Sequence, residues 1–118
     1  MTPMGPVDAV QSVFRKYATF SGRAGRAEYW WFLLFNLIVA AVLYVVVPIV
    51  YFIYILAVII PSLAVAVRRL HDTGRSGWWL LVGLVPLVGW LVLLYFYVLQ
   101  GDAAANQYGP PPGAMAPA

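Results

Sequence analysis

The sequence predicts an all-α membrane protein, with three transmembrane helices preceded by a short amphipathic helix. Three observations carry that prediction. Of the 118 residues, 64% are hydrophobic and only 9% charged, against roughly 25% charged in ordinary soluble domains. Residues 29–67 hold no charge over 39 positions, where one spanning helix needs only about 20. A second uncharged run of 22 residues covers 78–99. Eleven charges cannot wet the surface of a folded soluble monomer. So much apolar side chain equally excludes a disordered chain.

The net charge of +3 and pI near 9.5 do not point to nucleic acid. The basic residues fall in two clusters beside apolar runs, where topology signals of membrane proteins lie, and no nucleic-acid docking motif accompanies them. No cysteine is present, so disulfides, thiolate metal sites and thiol nucleophiles are excluded. Six arginines to one lysine, with much Ala, Val, Gly and Pro, hint at a GC-rich bacterial genome.

Taken in order, residues 1–20 read as a flexible leader and a surface helix. Val10, Val13, Phe14, Tyr17 and Phe20 recur at helical spacing, with Asp8, Gln11, Ser12, Arg15 and Lys16 between them. Fourteen residues with three charges are too short and too polar to cross a bilayer, so this helix is expected on its surface. Residues 21–28 form a basic turn. If Gly25 caps the next helix, Glu28 falls in its first turn, at the positive end of the dipole.

The 39-residue run is long enough for two spans, expected at about 29–47 and 50–67. Pro48 is the natural break, since proline removes a backbone donor and clashes with the preceding turn. Tyr44, Tyr51 and Tyr54 gather around it, and Pro61 is expected to kink the second span. Arg68 and Arg69 suit the negative end of that helix, Gly74 its left-handed stop, and Ser76 the cap of the next helix. The third span is expected at 78–99, flanked by Trp78 and Trp79 at one end and aromatic residues at the other. The 21–100 membrane domain then gives way to a Pro/Gly/Ala-rich tail, 101–118, expected to be mobile.

The first apolar run begins too late and runs too long for a cleaved signal, so it reads as a retained anchor. Both basic segments belong in the cytoplasm by the positive-inside rule. Three crossings then place the N-terminus inside and the tail outside. One rival stays open: a re-entrant dip at Pro86 would return the tail to the cytoplasm.

Two stretches and a shorter third stand out as motifs. The first is Phe20, Gly22, Arg23, Arg26, Glu28, Tyr29 and Trp30. The second is Arg69-Leu70-His71-Asp72, then Gly74-Arg75-Ser76-Gly77-Trp78-Trp79. The third is Asn106, Tyr108 and Gly109, with Pro86 and Gly89 between. Together they resemble the domain of unknown function 805 family of small bacterial inner-membrane proteins, over about residues 17–110. The likeness departs at Gln107, where the family usually has a basic residue. The resemblance implies a fold and an inner-membrane location, and no established activity.

Candidate site residues follow from the charged motifs. Arg23, Arg26, Arg68, Arg69 and Arg75, beside Trp78 and Trp79, form an expected cytoplasmic face for anionic lipid or a protein partner, since arginine forks bind phosphate and tryptophan sits at headgroup depth. Gly22, Glu28, His71, Asp72, Gly74, Ser76, Gly77, Asn106, Tyr108 and Gly109 read as structural motif residues. Asp72 is expected to pair with Arg68 or Arg75, and His71 to bond a helix end. Catalysis by His71 and Asp72 is the enzymatic alternative, acting on lipid headgroups, but adjacent helical side chains diverge. Asn36, within the first span, needs a partner on another helix or another copy. With one histidine and four carboxylates, and about three protein ligands needed for a metal, neither metal nor cofactor is expected. The expected function is a non-enzymatic interaction or scaffold component; a homo-oligomer or a small channel stays open.

Overall fold

The structure, a computed structural model, describes residues 4–112. Residues 1–3 of the expected leader and 113–118 of the expected tail lie outside the described residues. Four α-helices and one 3-10 helix make up the regular structure among the described residues.

Helix α1, Pro6–Arg15, opens on a proline, whose missing N–H is no loss in the first turn. Asp8 sits in its first turn and Arg15 in its last, matching the dipole. One face, Ala9, Ser12 and Val13, is buried. An N-terminal helix is thus formed where the spacing predicts one, but it stops short of Tyr17 and Phe20. The Tyr17 hydroxyl instead donates to the Ala57 carbonyl.

Helices α2, Arg26–Val46, and α3, Pro48–Asp72, are both long and apolar enough to cross a membrane. Their 21 and 25 residues give lengths of about 31 and 37 Å at the α-helical rise. Gly25 caps α2 and Pro48 opens α3, as the sequence predicts. Only Val47 separates them, so they form a tight hairpin. Pro61 is buried within α3, which runs on past it. Asn36 finds its partner on α3: it donates to Ser62 Oγ at 3.2 Å and accepts from the Tyr54 hydroxyl at 2.5 Å. Phe14 of α1 packs edge-on against Phe32 of α2, and Val13, Ala24, Phe32 and Val65 close the core between them.

The continuous third span expected at 78–99 is not formed. Its residues build a 3-10 helix, Gly77–Leu84, and a separate helix α4, Val88–Val98, that pack on each other. Between them, the Val88 N–H donates to the Pro86 carbonyl at 2.7 Å across Leu87, which takes φ 63° and ψ −64°. That is a γ-turn, the tightest reversal a chain can make. Gly89 completes the close approach, because a Cβ there would run into the Val82 carbonyl. Eight residues of 3-10 helix rise about 16 Å, and eleven of α-helix descend about 16 Å. The two arms match, so the chain returns to the end it left. The turn between them is wholly apolar, with Leu84 80% and Leu87 69% exposed.

The return places the tail beside the basic loops. The Asp102 N–H donates to the Asp72 carbonyl at 2.8 Å, and Arg23 reaches the Asp102 carbonyl at 2.6 Å. The sequence reading with three crossings put these segments on opposite sides of a bilayer; in the structure they are in hydrogen-bond contact. The reason is the reversal at Pro86–Val88, which a count of apolar residues does not register.

Candidate functional site

The chemistry-bearing residues converge at one end of the molecule, where α2 begins, α3 and α4 finish, and residues 101–109 fold over the top. Glu28 lies one turn into α2, and Arg68, Arg69, His71 and Asp72 form the last turn of α3. Arg23, Glu28, Arg68, Arg69, His71 and Asp72 are all buried.

Arg23 uses every donor it has. Nε donates to Asp72 Oδ1 at 2.9 Å, and Nη2 to the Asp72 and Asp102 carbonyls at 3.2 and 2.6 Å. Nη1 donates to the carbonyls of Ala104 and Gly109 at 2.9 and 3.2 Å. Five N–H groups meeting five acceptors is the full capacity of a guanidinium. Arg69 shares Asp72, donating to Oδ2 at 2.7 Å. It also donates to the carbonyls of Tyr97, at 3.2 Å, and Leu99. Those are the end of α4, whose last carbonyls have no partner within the helix. Trp30 Nε1 donates to the Tyr97 carbonyl at 3.1 Å and Arg26 Nη1 to that of Val98 at 3.4 Å. Three side chains of other segments thus cap α4, and cations there also suit its dipole.

A second ion pair lies beneath α1. Arg68 Nη1 donates to Glu28 Oε2 at 2.8 Å, and the Ser12 hydroxyl donates to the same oxygen at 3.0 Å. Arg68 Nε reaches the Thr19 carbonyl at 3.1 Å, and among the described residues Nη2 has no partner. The expected pairing of Asp72 with Arg68 or Arg75 is therefore corrected. Asp72 pairs with Arg23 and Arg69, Arg68 with Glu28, and Arg75 lies 4.1 Å over the Phe96 ring. Buried charges stay charged only when paired and hydrogen-bonded. Two carboxylates and a ring of carbonyls do that for three arginines here.

His71 closes the far side. Its Nδ1 lies 2.9 Å from the Gly22 carbonyl. A carbonyl only accepts, so Nδ1 carries the proton. The imidazole stacks on Tyr108, with ring centres 3.8 Å apart and planes 1° from parallel. Asn106 Nδ2 donates to the His71 carbonyl at 3.0 Å, and Asn106 Oδ1 accepts from the Tyr108 N–H at 2.8 Å. Asn106 and Gly109 exchange backbone hydrogen bonds at 3.0 Å, making the turn that presents Tyr108. This turn docks the tail on the end of α3. Gly74 supplies the left-handed residue expected after α3, with φ 77°, and Ser76 caps the next helix by accepting from the Trp78 N–H at 3.1 Å. Gly77 packs against Val67.

The residues expected to face lipid or a partner divide in two. Arg23, Arg68 and Arg69, at 6%, 1% and 0% exposure, point into protein acceptors. Arg26 is exposed, Arg75 half-buried, and Trp78 and Trp79 exposed. The sequence reading did not single out Ser12, Tyr97, Leu99, Asp102 or Ala104 as site residues. Four of them act here through backbone carbonyls, for which residue identity carries no signal.

Comparison with known proteins identifies the family. Residues 17–110 match the family described as protein of unknown function (DUF805), a span that contains every segment of the arginine cluster except Ser12. The inner membrane protein YhaI of Escherichia coli K12 is 48% identical over 108 residues, covering 86% of this chain and 92% of the relative. Inner membrane protein YhaH of the same organism is 39% identical over 117 residues, covering 90% and 97%. No solved structure matches. Two apolar helices of spanning length, set in a sequence so close to two inner-membrane proteins, make this an all-helical inner-membrane protein, and the chain belongs to the DUF805 family.

Proposed function

We propose that this protein is a non-enzymatic component of the bacterial inner membrane that works by association, as an interaction or scaffold subunit. Its topology is two spans, α2 and α3, followed by a re-entrant hairpin made of the 3-10 helix and α4. Each hairpin arm of about 16 Å reaches halfway through a hydrocarbon core of about 30 Å. The N-terminal helix, both basic segments and the tail then lie together in the cytoplasm, as the positive-inside rule prefers. The outward-facing remainder of the motif, Arg26 and Arg75 with Trp78 and Trp79, meets anionic lipid or a partner protein at that surface.

One observation carries this reading: the ionised motif residues Arg23, Glu28, Arg68, Arg69 and Asp72 are spent on one another and on backbone carbonyls. General acid–base work needs a group free to reach a reacting proton. Both Asp72 oxygens are taken by arginines, and one face of His71 is covered by Tyr108.

The absence of cysteine allows single-cysteine labelling in intact cells. Ala103→Cys is expected to resist an impermeant maleimide until the cells are opened, while Val46→Cys, at the other end of the hairpin, reacts from outside. Labelling of Ala103→Cys from outside would overturn the topology. Association is tested by extracting the protein in discs of its own membrane. Neutralising Arg26 and Arg75 together should reduce retained anionic lipid or partner, and unchanged retention would sink that part.

A further inference from the structure

The capped end of the molecule buries one more positive charge than negative. Among the described residues, Arg23, Arg68 and Arg69 are buried there with Glu28 and Asp72, three cations to two anions. Asp72 serves Arg23 and Arg69, and Glu28 serves Arg68. Neutral dipoles make up the difference. Arg69 borrows the carbonyls that end α4, and Arg23 those of Asp102, Ala104 and Gly109. A hydrogen bond to an ionised acceptor is roughly twice as strong as one to a neutral carbonyl. Several oxygens gathered on one guanidinium fork are what a phosphate group presents.

The segment that supplies the three carbonyls to Arg23, residues 102–109, is held by polar contacts and one ring stack. The Asp102 N–H donates to the Asp72 carbonyl at 2.8 Å, Asn106 Nδ2 donates to that of His71 at 3.0 Å, and Tyr108 stacks on the His71 ring. None of its residues is buried, and among the described residues none makes an ion pair. Its one acid, Asp102, accepts from Asn106 at 2.8 Å and is not paired with Arg23. A segment with so little apolar burial belongs to the part of a fold that opens most readily. Arg23 is anchored apart from it. Nε stays on Asp72 Oδ1 and Nη2 on the Asp72 carbonyl, so the fork remains aimed when the segment lifts and its other donors come free.

We propose that residues 102–109 are a displaceable strap over a phosphate site: a phosphate group replaces the three strap carbonyls on Arg23, and the strap lifts. This deepens the association reading and rests on its cytoplasmic placement of this end. It uses an arginine apart from Arg26 and Arg75.

The test is hydrogen–deuterium exchange of the whole chain in bilayer discs. In discs of phosphatidylcholine, whose headgroup has no net charge, and in phosphate-free buffer, the amides of 102–109 are expected to be protected. Phosphatidylglycerol in the discs, or inorganic phosphate in the buffer, should speed their exchange severalfold while α2 stays protected. A response to phosphatidylglycerol alone assigns the site to a lipid headgroup; a response to inorganic phosphate in phosphatidylcholine discs assigns it to a soluble phosphate compound. No response to either would overturn the proposal, as would a strap that exchanges freely without them. Tyr108→Ala weakens the strap and leaves Arg23 in place, so it should bind the effective phosphate at lower concentration; unchanged affinity would also overturn it. Arg26→Gln with Arg75→Gln should keep the strap response. Its loss there would move the phosphate to those two arginines and sink the strap, while a response that persists leaves the strap standing even if their own role in retention fails.

Discussion

Arg23 and Asp72 are 49 positions apart in the chain and 2.9 Å apart in space. The same carboxylate holds Arg69 at 2.7 Å on its other oxygen. One acid thereby ties the turn before α2 to the end of α3, and through the two arginines to α4 and the tail.

Asp72→Asn keeps the shape but removes the charge that faces two buried guanidinium groups. Removing one partner of a buried pair costs about 3–5 kcal/mol, so the variant should melt well below the wild type in mild detergent. Asp8→Asn, on the exposed side of α1, is the control and should move stability by less than about 0.5 kcal/mol.

Glu28 and Ser12 should act as a unit. Ser12→Ala removes one hydrogen bond and is expected to cost about 1 kcal/mol. Glu28→Gln removes the charge opposite Arg68 and should cost more. A double-mutant cycle on the two should give a coupling between about 0.5 and 3 kcal/mol. Simple additivity would show that the 3.0 Å contact between them contributes nothing.

The tail is expected to depend on one ring stack. Tyr108→Ala removes the partner of His71, a contact worth about 0.5–1.5 kcal/mol for stacked aromatics. Backbone amides of residues 102–109 should then exchange faster with deuterium, while those of α2 stay protected. Tyr108→Phe keeps the ring and should behave as wild type.

Two neighbouring substitutions in the hairpin should have opposite signs. Leu87 sits at φ 63° and ψ −64°, a strained γ-turn conformation that costs an L-residue about 1–3 kcal/mol and glycine less. Leu87→Gly is therefore expected to raise the melting temperature slightly. Gly89→Ala places a methyl against the Val82 carbonyl and should lower it. If both lower it, the reversal is not held as tightly as the geometry requires.

The two long apolar helices were legible because hydrophobicity is additive along a chain. Thirty-nine uncharged residues with a proline near the middle allow little besides a hairpin of two helices, and Pro48 opens α3. The third run was not legible in the same way. Twenty-two apolar residues fit one long helix or two short ones equally, and the choice lies in the backbone at Pro86–Val88. Locally set features also read correctly: the Gly25 and Ser76 caps and the left-handed Gly74. Partner choice among the charges did not, because i,i+4 spacing describes an isolated helix. Arg68 is four residues before Asp72, yet Glu28 from α2 takes it.

The wiring of Arg23 sets an order of events. It binds carbonyls that lie 79, 81 and 86 positions further along the chain. Those acceptors are made after every residue of α2 and α3. Until residue 109 has been made, Arg23 has unfilled donors, and its segment stays wet and unlatched. Closure of the cap therefore waits for the end of the chain. A chain ending after α3 would lack all three of these acceptors and present an open, basic end, chemically distinct from the finished molecule.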